Sequence, residues 1–244
     1  MPRAAELGAA GLVETLESRT LFAIGVSEGA PGFFEVTGDS ADDAVSIFVD
    51  QSARTLSVNG VVYGNAAFVT VYGNGGNDQV SVSGTGGGRI GASISGGEGD
   101  DVLSLGSVDG AIWGGPGNDR IDLESVFRGQ AYGEGGNDHI VVSGLCTDAD
   151  VRGGEGDDTI DAQGSSVAVV LYGDNGRDRL YGSPLADILD GGPGRDYLFG
   201  RDGDDQFYTR DDDLDYVIGG GGIDTCYCDA TEMNISGVEV VIKP

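Results

Sequence analysis

A nine-residue beat governs this chain. Residues 173–181 read Gly-Asp-Asn-Gly-Arg-Asp-Arg-Leu-Tyr, and units opening at Gly182, Gly191 and Gly200 follow without a gap. Each begins with Gly, carries Asp at its sixth position and holds an apolar residue at its eighth. A strict short period means a stack of small units, none of which can bury its apolar face alone. Upstream the same positions are filled by Asp78 and Val80, Asp101 and Leu103, Asp119 and Ile121, Asp138 and Ile140, and Asp158 and Ile160. From Gly96 to Gly191 one edge recurs every 18 to 20 residues, twice nine with small insertions. That interval is one full coil.

Between the turns, apolar and polar residues alternate, the pattern of strands with one face buried. Val80 and Val82, Leu103 and Leu105, Ile121 and Leu123, and Ile140 and Val142 point inward from outgoing strands. Val71, Ile94, Ile112, Ala131, Val151, Leu171, Leu189, Leu198 and Val217 stand two residues before an opening Gly and do the same. The expected fold is therefore all-β, a parallel β-roll or β-helix of stacked nonapeptide repeats with a thin two-sheet core. Four segments are expected: a flexible leader (1–24), an N-terminal β cap with a widened first coil (25–72), the roll (73–228) and a C-terminal capping strand (229–244). Within the cap, Asn59-Gly60 between Val58 and Val61 reads as a hairpin turn, since both residues tolerate positive φ. Residues 38–43 already fit the repeat in degraded form.

The spacing of Gly and Asp has a chemical reading. A turn joining two strands of a narrow coil needs positive φ, which glycine adopts at little steric cost. Glycine also leaves the turn carbonyls unshielded. Coils stack at the strand spacing of ~4.8 Å, so each sixth-position Asp lies over the next. Two carboxylates at that separation repel by roughly 3–4 kcal/mol at an effective dielectric near 20. A hard divalent cation that accepts carboxylate and carbonyl oxygens together resolves the conflict; calcium fits, whereas zinc and copper want His or Cys. The 41 acidic against 13 basic residues, a formal charge of -28, argue against nucleic-acid and anionic-membrane partners. No apolar run of about 20 residues offers a membrane-spanning helix.

These units resemble the hemolysin-type (RTX) calcium-binding repeat, Gly-Gly-x-Gly-x-Asp-x-apolar-x. Residues 114–122 and 191–199 match it in full. The resemblance implies that ions sit between stacked turns, held by turn carbonyls and by the sixth-position Asp. Carried over, one edge uses Asp78, Asp101, Asp119, Asp138, Asp158, Asp178, Asp196 and Asp215, and the opposite edge Asp187, Asp205 and Asp224. Carbonyl donors fall at Gly97, Gly99, Gly115, Gly117, Gly154, Gly156, Gly192 and Gly194. Departures are visible: Leu185 stands where Gly belongs, Arg177 and Arg195 bring positive charge to their turns, and the unit at 210–218 has lost its glycines. In that unit Asp213 occupies the position expected to be left-handed. The Asp187–Asp205 pair is the least regular of the set. From Gly182 onward the device serves both edges, so calcium density is expected to peak there.

Other signals are weaker. Residues 16–23, Leu-Glu-Ser-Arg-Thr-Leu-Phe-Ala, resemble the LEPR-x-LL motif near the N-termini of many planctomycete surface and secreted proteins, which implies export. The segment lacks the basic-then-apolar order of a cleaved signal peptide, so secretion or surface display without one is expected. Residues 86–91 match G-x-G-x-x-G, but no helix follows, and a turn is the better reading. His139, the sole histidine, points outward. No HExxH occurs. Cys226 and Cys228 take inward positions as small apolar side chains, and Cys146 lies coils away. Tyr72, Trp113, Tyr132, Tyr172 and Phe199 precede an opening Gly and face outward, as a stiffening aromatic ladder or as a sugar-binding stripe. Three functions follow: a non-enzymatic calcium-binding repeat protein, secreted or at the cell surface; an adhesin or matrix protein binding polysaccharide; or a β-helix lyase or epimerase.

Overall fold

The computed structural model of the chain describes residues 24–85, 90–229 and 234–243. The expected leader with its LEPR-x-LL-like stretch lies outside them, as do residues 86–89 of the glycine run. Among the described residues every regular element is a strand, and the strands make two twelve-stranded sheets. From Phe68–Gly75 onward, consecutive strands fall in opposite sheets and each pairs in parallel with the strand one coil away. This is the parallel β-roll that the period demands.

The alternation explains each strand. In Arg120–Glu124, Ile121 and Leu123 are fully buried while Arg120 and Glu124 are exposed. Register then stacks like on like. In one sheet Val45, Val80, Leu103, Ile121, Ile140, Ile160, Leu180, Leu198 and Val217 lie directly beside one another from coil to coil. In the facing sheet Val71, Ile94, Ile112, Ala131, Val151, Leu171, Leu189 and Phe207 form the matching column. All these residues are buried, and each fully buried aliphatic contributes ~1.5–3 kcal/mol.

At the N-terminal end the coil widens. Gly25–Ala30 pairs antiparallel with Phe33–Thr37, and Ala44–Asp50 is flanked by an antiparallel hairpin, Thr55–Val58 and Val61–Gly64. Asn59 (φ 45°) and Gly60 (φ 86°) make its turn. At the other end the structure differs from expectation. Instead of one capping strand, Asn234–Ser236 joins one sheet and Val240–Ile242 the other. Ile235 pairs with Val217 and Val241 with Cys226, so both register columns run on through a further coil, partly buried at Ile235 and exposed at Val241.

Cys226 and Cys228 occupy successive inward positions of Thr225–Cys228 and are fully buried, as expected, but their sulfurs are joined in a disulfide across Cα atoms 5.5 Å apart. Their role is thus a bonded pair rather than two separate apolar fillers. Cys146 is buried and free. His139 is exposed and its Nδ1 meets the Arg120 guanidinium at 2.9 Å.

Candidate metal centre

The turns that join the sheets place backbone oxygens in columns. At the fourth position of successive units, Gly76, Gly99, Gly117, Gly136, Gly156, Gly176 and Gly194 all have positive φ. A Cβ on Gly99 would collide with the Gly76 carbonyl oxygen, one on Gly117 with that of Gly99, and so on to Gly194 over Gly176. Each fourth-position carbonyl thus lies against the next turn, and no side chain fits between. The second position is left-handed too, whether Gly97, Gly115, Gly154 and Gly192 or Asn74, Glu134 and Asp174 fill it.

The sixth-position aspartates form two ladders. On the first edge the N–H of Asp43 donates to Oδ1 of Asp78, that of Asp78 to Asp101, and the series continues through Asp119, Asp138, Asp158, Asp178 and Asp196 to Asp215, each bond 2.7–2.8 Å long. On the second edge Val169 donates to Asp187, Asp187 to Asp205 and Asp205 to Asp224. One oxygen of each carboxylate is therefore fixed by the backbone of the preceding coil.

The other oxygen has nothing. Oδ2 of Asp78, Asp101, Asp119, Asp138, Asp158, Asp178, Asp196, Asp205 and Asp224 is buried without a hydrogen-bond partner. Except at Asp196, these oxygens point into one kind of cradle. A Cβ built on the opening glycine of the same unit would strike both that Oδ2 and the opening carbonyl of the next turn, as at Gly73 with Asp78 and Gly96, or Gly153 with Asp158 and Gly173. A buried, unpartnered carboxylate oxygen is costly, and a carbonyl beside it makes the cost worse. Burial pushes the Asp158 and Asp196 carboxyls up to about 8, Asp119 and Asp205 to about 7, and Asp101, Asp138 and Asp178 to about 6, against the pull of the backbone bond to Oδ1. An all-oxygen set of carboxylate and carbonyl donors suits a hard divalent cation such as calcium.

The family model of the RTX calcium-binding nonapeptide repeat, four copies long, matches residues 58–84, 93–110, 111–125, 150–166, 168–184 and 181–213, together half of the chain. The chain belongs to the RTX calcium-binding repeat family. A search of the curated proteins finds no match.

Against the RTX pattern the two edges differ in instructive ways. Asp187 is the exception among the aspartates: the Ser183 N–H donates to its Oδ2 at 2.6 Å, and the Ser183 hydroxyl and the Val169 N–H donate to its Oδ1. Leu185, where glycine is usual, keeps negative φ and donates its N–H to the Ser183 hydroxyl. This turn satisfies itself. In the unit at 210–218 the left-handed residue is Asp212 (φ 71°), not Asp213. There the chain turns one residue earlier, and Asp213 instead donates its N–H to Asp211.

Three features escaped the sequence reading. Asp43 heads the first ladder with its Oδ1 buried and unpartnered, a role its unit foreshadowed. Glu239 takes the rung after Asp224, whose N–H donates to Glu239 Oε2 at 2.8 Å. The fifth positions make a ladder of their own, running in the opposite sense: Asn77 donates its N–H to Asp42, Asp100 to Asn77, Asn118 to Asp100, Asn137 to Asn118, Asp157 to Asn137 and Arg177 to Asp157. The recurrence of Asn or Asp at that position was the available signal. Of the outward aromatics, Trp113 stacks on Tyr132, and the Arg152 guanidinium lies 4.1 Å over Tyr172, all in one sheet. Phe199 stacks on Tyr181 in the other sheet. Its nine-residue offset from the Gly191 edge is half a coil, which places it across the roll.

Proposed function

We propose that this RTX chain is a calcium-dependent β-roll, secreted or displayed at the cell surface without enzymatic activity, whose folding is coupled to binding a ladder of calcium ions. The observation that carries the reading is the row of buried carboxylate oxygens that have no partner and share a cradle with a neighbouring turn's carbonyl. The residues that would hold the ions are Asp78, Asp101, Asp119, Asp138, Asp158, Asp178, Asp196 and Asp215 on one edge and Asp205 and Asp224 on the other, with turn carbonyls at Gly97, Gly99, Gly115, Gly117, Gly154, Gly156, Gly192 and Gly194. Asp187 contributes least, because its own turn already satisfies both oxygens. Bound calcium supplies the positive charge that lets stacked carboxylates stay ionised. The backbone does the rest: each Oδ1 is tethered to the preceding coil, so Oδ2 is aimed as the coils stack. The ladder bonds form only when coils are stacked, which makes the site and the fold one event.

Two observations support the absence of catalysis and of a sugar stripe. The buried carboxylates between residues 78 and 224 all stand at one repeat position, none set apart from the structural array. Of the outward aromatics, Trp113 stacks on Tyr132, Phe199 on Tyr181 at 4.9 Å and 9°, and the Arg152 guanidinium covers Tyr172, contacts that favour a stiffening ladder over a sugar stripe. Among the described residues no helix is long and apolar enough to cross a membrane. The test is far-UV circular dichroism at neutral pH, first in EDTA and then with calcium raised through about 10⁻⁴ to 10⁻³ M, the range of extracellular modules. A sigmoidal gain of strand signal is expected; a spectrum already folded in EDTA and indifferent to calcium would refute the coupling.

A further inference from the structure

One rung is built differently from the rest. At Gly73, Gly96, Gly114, Gly133, Gly153 and Gly173 the cradle is shared by Oδ2 of the unit's own Asp and the opening carbonyl of the next turn. At Gly191 the three nearest atoms all belong to Asp196, and the next turn carries Arg210 and Asp211 and no glycine. Carboxylate oxygens of Asp196, Asp211 and Asp215 come within 4.8 Å of one another there. Asp196 is fully buried, and its Oδ2 has no hydrogen-bond partner. Asp211 is held in place by two backbone N–H groups, Gly194 on Oδ2 at 2.9 Å and Asp213 on Oδ1 at 3.0 Å. The neighbouring cation is turned away: Arg210 stacks over the Tyr227 ring and donates to the Ile242 carbonyl. No arginine pairs with Asp196 or Asp211 among the described residues.

We propose that Asp196, Asp211 and Asp215 form a distinct three-carboxylate calcium site, tighter than the carbonyl-rich sites of the regular turns, made by the loss of glycines in the unit at 210–218. The inference rests on the calcium reading of the array and deepens it. Beside the two carboxylates of the ladder, this turn offers a third full negative charge on a pre-positioned side chain. In oxygen-only sites, ligand charge count and rigidity set the affinity for calcium. The degenerate repeat is then the site that fills first, and it anchors the junction where both edges of the roll carry turn aspartates.

The experiment is calorimetric titration of the full chain with calcium alone, beside Asp211→Asn and Asp211→Gly. Asn removes the charge and keeps one of the two acceptor oxygens; Gly restores the residue usual at that position. Asp109→Asn, an exposed carboxylate paired with Arg128 outside these turns, is the control. The parent and the control are expected to show a tight class of about one ion above a weaker remainder, and both Asp211 variants to lose that class, weakening it by about tenfold or more. Circular dichroism of each variant in saturating calcium separates loss of the site from loss of the fold. If the parent binds calcium and the tight class survives in both folded variants, this site is wrong while the array stands. If the parent binds no calcium, the reading of the array and this site fall together.

Discussion

At the residue scale the decisive contrast is between Asp158 and Asp187. Both are buried and both accept a backbone N–H on Oδ1, from Asp138 and Val169 respectively, yet only Asp158 has an unpartnered second oxygen. Asp158→Asn keeps the acceptor and removes the charge, so it is expected to raise the calcium midpoint of folding by about tenfold, equivalent to ~1.4 kcal/mol. Asp187→Asn sets an amide NH2 against the Ser183 N–H, so its cost falls on the folded turn and the number of calcium ions bound at saturation is expected to stay unchanged, whereas Asp158→Asn is expected to lower it. Native mass spectrometry of the two variants in saturating calcium compares them directly, and equal ion counts would mean that the orphan oxygen is not the functional atom. Glycines divide in the same way. Gly99 has φ 127° and a Cβ there meets the Gly76 carbonyl, whereas Gly135 faces open space with ordinary φ. Gly99→Ala is expected to cost about 3 kcal/mol or more in saturating calcium and Gly135→Ala little, as thermal unfolding reads out.

At the scale of turns and strands, the molecule is a set of columns that run through every coil. The fifth-position ladder caps backbone N–H groups that would otherwise face solvent at the turn. Asn118→Ala removes the acceptor for the Asn137 N–H and is expected to cost about 1 kcal/mol of calcium-loaded stability, measured by denaturant unfolding. Much of this level was legible in the sequence. Inward positions such as Ile121 and Leu123, the turn glycines and the sixth-position Asp each obey a fixed period, and the structure repeats it. What was not legible depends on phase or on partners from another coil. Phe199 shares a repeat position with Trp113, but half a coil of offset moves it to the other sheet. Glu239 stands only two residues after Gly237, too early for the sixth position of a unit, and only its place beside Asp224 reveals it. The shift of left-handed backbone from Asp213 to Asp212 follows from Asp211 accepting a nearby N–H, a choice between two acceptable local turns. The common inward direction of Cys226 and Cys228 was legible, but the bond between their sulfurs was not.

For the molecule as a whole, the ladder makes stability depend on protons as well as on calcium. Burial raises the carboxyls of Asp119, Asp158, Asp196 and Asp205 from an ordinary 3.8 to about 7 or 8. A group whose folded value is raised contributes stability that is fully present below its unfolded value and is lost as pH climbs through the folded one. Without calcium the roll should therefore gain strand signal on acidification from pH 8 toward pH 5, because protons neutralise the stacked acids. With calcium bound the carboxylates are held ionised, and the same acidification should weaken the fold by displacing the ions. Circular dichroism across that range, in EDTA and in calcium, is expected to give opposite slopes; parallel slopes would mean that the ladder is not the seat of the coupling. The charge of -28 adds a diffuse repulsion that acts with these local terms in the calcium-free chain.

All of this turns on whether the two rows of buried aspartates are ion sites. Native mass spectrometry of the calcium-loaded chain counts the ions outright. The account predicts several calcium ions on the folded chain, lost together on chelation as the charge-state distribution broadens to that of an expanded chain. A compact chain that carries one ion or none in saturating calcium would contradict it.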